Sequence, residues 1–322
     1  MIELGLDIGY SSTKAVFDRG SFKVPSVVGT YEEWFAVNAS RKVIKLDGQK
    51  YLVGSDAIDQ SQIVERREDR AWIRSDMYSR LLKFALINTA QMEALETTSM
   101  FVVSGLPLAY FNKDAEFLKQ LFIGEHRGEM DGVTSIVTVN DARIVPQPFG
   151  ALLNHALTTD GGIIPENASG RVGVIDVGGK TTNILSVKDL AEQSREATSV
   201  SVGGWTAVRK LRDFLVDQYP EVDDRASNIE RILVNGSFVY YGERIGVSDA
   251  ISRITKNIAS QIEAELSQRW GGGSHFEKIL ISGGGANLVG NSIIEVLPQA
   301  FIVKDPVFAN AKGFHKFAKR SS

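Results

Sequence analysis

DIGYSSTK (residues 7–14) and DVGGKTTN (176–183) are two copies of one pattern. Asp7 matches Asp176, Gly9 matches Gly178, Ser12 matches Thr181 and Thr13 matches Thr182. Ile2, Leu4, Leu6 and Ile8 alternate with Glu3, Gly5 and Asp7, the two-residue period of a strand, and Ala15, Val16 and Phe17 resume it after the turn. The second copy lies inside RVGVIDVGGKTTNILSV (171–187), again strand, glycine turn, strand. One Asp-x-Gly hairpin is an ordinary β-turn. Two matched copies in one chain point to duplication, with a ligand held between the halves.

The residue types say what that ligand is. Glycine lets backbone approach an anion closely, and successive N–H groups in a turn can face phosphate oxygens. Hydrogen bonds to a charged group contribute roughly 1.5–3 kcal/mol each, so a few donors per loop hold a polyphosphate. The hydroxyls of Ser11, Ser12, Thr13, Thr181 and Thr182 add neutral donors, and Lys14 adds a charge. Asp7 and Asp176 repel phosphate, so their expected role is to hold Mg²⁺ through its waters, as this hard, strongly hydrated ion prefers. GGKT (178–181) invites a P-loop reading, but that motif needs a glycine at 174, where this chain has valine, and a helix where this chain has a strand pattern. The P-loop is rejected.

A chain of 322 residues is long for one core and divides naturally into two units of roughly 150. Hydrophobic content of 43% fits a globular protein, and a net charge of −3 gives no broad pull towards nucleic acid or anionic membrane. With no cysteine, thiolate nucleophiles, disulfides and cysteine–zinc sites are excluded. No apolar run approaches the roughly 18–20 residues of a membrane span, so a soluble cytoplasmic protein is expected. The four histidines (126, 155, 275, 315) lack metal-ligand spacing, and Trp34, Trp72, Trp205 and Trp270 read as packing residues.

Along the chain, Asp47-Gly48 marks a turn, and the mixed-charge stretch VERREDRAWIR (64–74) reads as a solvated face. Met77, Leu81, Leu82 and Ala85 form one helical stripe, and Ala115, Leu118, Leu121 and Phe122 another, with a strand at 100–107 between them. Pro148 suits the first position of a helix, which places Gln147 at its N-terminus. A Gly/Asn/Ser-rich segment (158–170) marks the crossing between domains. KILISGGG (278–285) is a buried strand ending in three glycines.

The order of hairpin, Gln-Pro helix, second hairpin, glycine pair, glycine triplet and terminal helix resembles the actin, heat-shock chaperone and sugar-kinase superfamily over nearly the whole chain. The layout is most similar to the bacterial ParM (StbA) plasmid-segregation actins and their archaeal relatives. The resemblance implies an α/β, ribonuclease H-like fold of two domains with nucleotide in the cleft. Domain I is expected over 1–157 plus 308–322, with a smaller subdomain at about 22–75. Domain II is expected over 158–307, with a smaller subdomain at about 205–245. It implies ATP, or GTP, with Mg²⁺, held by Gly9, Ser11, Ser12, Thr13 and Lys14 in one loop and by Gly178, Gly179, Lys180 and Thr181 in the other. Gly203 and Gly204 would flank the nucleotide, and Gly283, Gly284 and Gly285 would lie against adenosine. Gln147 takes the place of the residue that positions the attacking water, with Asp7 and Asp176 as metal-holding catalytic partners. Gly150 and Gly313 would be close helix contacts at the hinge.

Two functions follow from this resemblance. The first is an ATPase that polymerises with ATP into dynamic filaments and segregates plasmid DNA. Its partners would be further copies of itself and a DNA-binding adaptor protein at a centromere-like site, without direct contact to nucleic acid or membrane. The alternative is a small-molecule, sugar-type kinase or phosphatase of the same fold. Glutamine at 147 argues mildly against it, because such enzymes need an acid near the γ-phosphate. A chaperone ATPase is disfavoured by the lack of a following substrate-binding domain.

Overall fold

A computed structural model describes residues 1–32, 42–61, 64–65 and 70–322. Trp34 and residues 66–69 of the charged stretch lie outside them. The chain forms two compact units, Met1–Ser169 with Phe308–Ser322, and Gly170–Val307.

The first unit carries a ten-stranded sheet. It is built from β1 (Ile2–Ile8), β2 (Ser12–Phe17), β3 (Gly20–Pro25), β4 (Val28–Thr30), β5 (Val43–Leu46), β6 (Gln49–Val53), helix α1 (Ser55–Gln60), β7 (Val64–Glu65), α2 (Asp76–Met92), β8 (Thr97–Leu106), α3 (Leu108–Phe122), β9 (Gly124–Met130), β10 (Val133–Pro146), α4 (Phe149–Ala156) and α5 (Pro165–Ala168). β1 pairs antiparallel with β2 and parallel with β8, which is in turn parallel to β10. Parallel strands end on the same side, so the turn after β1 and Gln147 after β10 emerge together at the carboxyl edge, where open α/β sheets bind ligands.

Ser75 caps α2 by accepting the Tyr78 N–H, and the helix lays Leu81, Leu82, Phe84 and Ala85 into the core over the sheet. The chain's last helix, Ala309–Ser321, covers the other face, where Phe314 and Ala318 pack on Phe101 and Val103. A Cβ at Gly5 would lie 2.1 Å from the Ala311 carbonyl, so helix backbone rests directly on β1.

The second unit repeats the central topology. Its elements are β11 (Arg171–Val177), β12 (Thr182–Lys188), β13 (Ala191–Glu192), β14 (Thr198–Val200), α6 (Gly204–Gln218), α7 (Ala226–Asn235), β15 (Ser237–Tyr240), β16 (Glu243–Gly246), α8 (Ser248–Trp270), β17 (Lys278–Ser282), α9 (Ala286–Val296) and β18 (Ala300–Ile302). β11 pairs antiparallel with β12 and parallel with β17, and β17 pairs parallel with β18, matching β2-β1-β8-β10 strand for strand.

The structure departs from the sequence expectations in three places. Residues 158–169, expected to open the second domain, belong to the first unit, where Arg320 Nη1 donates to the Gly161 carbonyl and Asn167 Nδ2 to the His155 carbonyl. Ile73, in a stretch expected as a solvated face, is a buried core residue, as is Trp72, in keeping with its reading as a packing residue. The long β9–β10 hairpin went unforeseen, although its Asp131-Gly132 turn, both residues at positive φ, carries the same signal as Asp47-Gly48.

Candidate functional site

The two Asp-x-Gly turns close in the same way. Gly9 N–H donates to the Ser12 carbonyl at 3.1 Å, and Gly178 N–H to the Thr181 carbonyl at 2.9 Å. Across each hairpin the aspartate faces the matching position of the second strand, Asp7 opposite Lys14 and Asp176 opposite Asn183. The hydroxyls of Thr13 and Thr182 are buried and occupied internally, the first sharing a hydrogen bond with Ser26 Oγ at 3.0 Å and the second donating to the Val202 carbonyl at 2.8 Å. Both therefore shape their loops. Ser11 is half-buried, and Ser12 and Thr181 are buried.

The first half-site centres on Asp7, which is 2% exposed. Lys14 Nζ donates to Asp7 Oδ2 and Gln147 Nε2 to Asp7 Oδ1, both at 2.9 Å. A carboxylate only accepts, so Gln147 must turn its NH₂ end to Asp7, which leaves its carbonyl oxygen to accept from another molecule. Gly105 makes room for this residue: a Cβ there would meet Gln147 Cα at 3.0 Å. Pro148 caps α4 instead of occupying its first position, setting Gln147 one residue further out. Tyr78 lies buried in the neighbourhood, its hydroxyl pushed far up by desolvation and further by the charge of Asp7.

The loop itself is clasped from the β3–β4 connection, which sequence reasoning missed. Ser26 Oγ donates to the Gly9 carbonyl at 2.6 Å and Ser26 N–H to the Ser11 carbonyl at 3.0 Å.

In the second half-site the clasp is the start of α6. Gly204 N–H donates to the Gly178 carbonyl at 2.9 Å and Trp205 N–H to that of Gly179 at 2.8 Å. A Cβ at Gly203 would lie 2.5 Å from the Gly178 carbonyl, so glycine is required for this approach. Asp176 accepts from Ser282 Oγ at 3.2 Å. Ser199 Oγ donates to Asn183 Oδ1 at 2.7 Å, fixing the amide opposite Asp176. Lys180 is half-buried at the loop tip.

The glycine triplet divides by role. Gly283 (φ +90°) and Gly285 are demanded by the fold, since a Cβ on the first would meet the Val177 carbonyl at 2.3 Å and on the second Val177 Cγ1 at 2.6 Å. Gly284 is exposed, with nothing within 4 Å of a would-be Cβ.

The sequence and the fold have known counterparts. Residues 5–150 match the family described as actin-like proteins, N-terminal domain, and residues 174–295 match the archaeal actin homologue MreB-like, C-terminal family. The chain belongs to the actin-like superfamily. An archaeal actin homologue of Thermoplasma volcanium is 24% identical, with both chains covered in full. A crystal structure of an archaeal actin homologue superposes at TM-score 0.85 and 23% identity over all of both chains, and its complex with ADP at 0.81 and 21%, covering 99% of this chain and all of that one. The ParM of a 15-stranded filament from Clostridium botulinum gives 0.78 at 18% identity, covering 99% of each chain.

As in the sequence expectation for this superfamily, Gly150 and Gly313 form a close helix contact, a Cβ on Gly313 lying 1.7 Å from the Gly150 carbonyl. Among the described residues, no group of three or more His, Asp or Glu side chains could hold a metal ion, and no helix is long and apolar enough to cross a membrane. The donor chemistry of Asp7 and Asp176 nevertheless fits Mg²⁺. It is a hard ion that keeps most of its water, and a carboxylate offers about four lone-pair sites, enough to accept from a metal-bound water beside the present donors.

Proposed function

We propose that this actin-like chain uses its two Asp-x-Gly loops to bind ATP with Mg²⁺, hydrolyses it, and couples the cycle to assembly of filaments. The observation that carries the catalytic part is the Gln147–Asp7 hydrogen bond, which directs the amide carbonyl of Gln147 away from the carboxylate. That oxygen would accept a hydrogen bond from the attacking water and so aim the water's lone pair at the γ-phosphate, while the amide, a poor base, takes no proton. Asp7 and Asp176 would hold Mg²⁺ through its waters, and the ion would supply charge neutralisation on the phosphates. Lys14, held by Asp7 at the loop, would turn its ammonium to the phosphates once they enter. Backbone N–H groups of Tyr10–Ser12 and Gly179–Thr181 would cradle the phosphates, and Gly284, open to solvent, would let the nucleoside lie flat on the backbone.

The ADP complex and the ParM filament among structures of the same fold support nucleotide binding and self-assembly. We assign the chain to plasmid-type DNA segregation in the cytoplasm, with a DNA-binding adaptor as partner. The net charge of −3 agrees with an actin that does not touch DNA itself. Nucleotide-dependent pelleting and electron microscopy test the reading: polymer with ATP and disassembly with ADP are expected, with phosphate release following assembly. No polymer over a broad range of protein and salt concentration would overturn the filament assignment, and fast phosphate transfer to a sugar hydroxyl would overturn the choice against a kinase.

A further inference from the structure

We propose that Trp72, acting through Tyr10, is a positioning residue for the first phosphate loop; this rests on the nucleotide-binding reading above. The two loops differ at their tips, where Tyr10 stands in one and Gly179 in the other. Gly179 is tied by backbone to α6. The Tyr10 ring instead stacks on Trp72, centroids 5.6 Å apart and planes inclined by 29°. Trp72 in turn meets Tyr78 of α2 edge-on at 5.4 Å and 89°, so its indole is held on two sides.

The backbone of Trp72 is equally fixed. Its carbonyl accepts from Ser75 Oγ at 2.6 Å and from Ser75 N–H at 3.0 Å, and Ser75 is the cap of α2. Two residues on, Arg74 bonds Asp114 at 2.9 Å and lies over the Phe117 ring at 3.9 Å, anchoring the turn Arg70–Arg74 to α3. The tip of the first loop is thus pinned by a buried aromatic column on one side and by Ser26 on the other. Loss of the column frees the tip while Ser26 keeps the loop's base. The consequence is a weaker grip on phosphate, with the Asp7–Gln147 pair and the chemical step untouched.

Hydrogen–deuterium exchange on the nucleotide-free protein, joined to steady-state ATPase kinetics, tests this. Tyr10→Ala removes the half-buried ring without opening the core, and Trp72→Leu and Trp72→Phe bracket the indole. Exchange in a peptide spanning 7–16 should rise severalfold in Tyr10→Ala and Trp72→Leu, with a peptide spanning 176–183 unchanged. KM for Mg-ATP should rise about tenfold with kcat kept within about twofold, the scale of one lost aromatic pair. Trp72→Phe, which preserves a stack, should restore both. Unchanged exchange at 7–16 in Tyr10→Ala, or an unchanged KM, overturns the proposal, as does equal acceleration of both loops. A wild-type protein that binds no nucleotide overturns the functional reading instead, and the exchange comparison still decides whether the column holds the loop.

Discussion

The two Asp-x-Gly hairpins share one turn and differ in what faces their aspartates. Asp7 is buried between an ammonium and an amide, Lys14 on one oxygen and Gln147 on the other. Asp176 has Asn183 across the hairpin and the Ser282 hydroxyl on its neighbouring strand. One backbone design therefore carries two chemistries. The first copy sets its aspartate against an ammonium and an amide, and the second sets its own among neutral groups, its loop clasped by the N-terminus of α6.

The largest effect expected is at the aspartates. Asp7→Ala and Asp176→Ala should each cut Mg-ATP turnover by about three orders of magnitude or more. Only Asp7→Ala should also destabilise strongly, by about 3–5 kcal/mol, because it strands the buried Lys14 ammonium. Asp176→Ala loses a hydroxyl bond worth about 1–3 kcal/mol. Chemical denaturation of both variants reads the difference, and equal losses would break the comparison. Next is Gln147→Ala, expected to slow hydrolysis roughly a hundredfold, the scale of one misplaced transition-state group. Nucleotide affinity by calorimetry should be nearly kept, and an unchanged rate would remove the role given to this residue.

A smaller contrast lies within the second unit. Gly283→Ala should destabilise by more than about 1 kcal/mol, since its φ of +90° and the Val177 carbonyl both oppose a Cβ. Gly284→Ala should leave stability within about 0.5 kcal/mol yet weaken nucleotide binding. A normal affinity in Gly284→Ala would show that the nucleoside does not lie there.

The smallest effect is a pH dependence confined to the first unit. Burial, helped by Lys319, pushes His315 below the ordinary 6.5, with Asp18 opposing. The unfolded chain then binds more protons between the folded value and 6.5, so stability is full above about 6.5 and falls as pH drops towards the folded value. Thermal melts of His315→Gln should show a flatter slope in that window than wild type, and an identical slope would assign the dependence elsewhere.

Much of the fold was legible. Alternation at Ile2–Ile8 and the α2 stripe at Met77–Ala85 stand in the structure as strand and helix because the local period sets the type of element, while packing on both sides buries both faces of β1. The boundary at 158–170 misled because a Gly/Asn/Ser-rich run signals irregular backbone and carries no information about which neighbour it packs on. Ile73 was hidden by the charges around it: a core position inside a polar run has no period to reveal it. Ser26 was equally silent, since its role depends on the β3–β4 connection passing the loop.

The sequence by itself determined the duplicated turn, the residue types at its tips and the glutamine before the Pro148 helix, because turns and caps are set by residues a few positions apart. Only the tertiary structure decided that Gln147 reaches Asp7 across 140 residues, that Lys14 is neutralised there, and that Thr13 faces inward to Ser26. The first of these contacts depends on the parallel register of β1, β8 and β10, which brings the ends of distant strands to one edge, and the other two on the antiparallel pairing of β1, β2 and β3. No local pattern encodes that register.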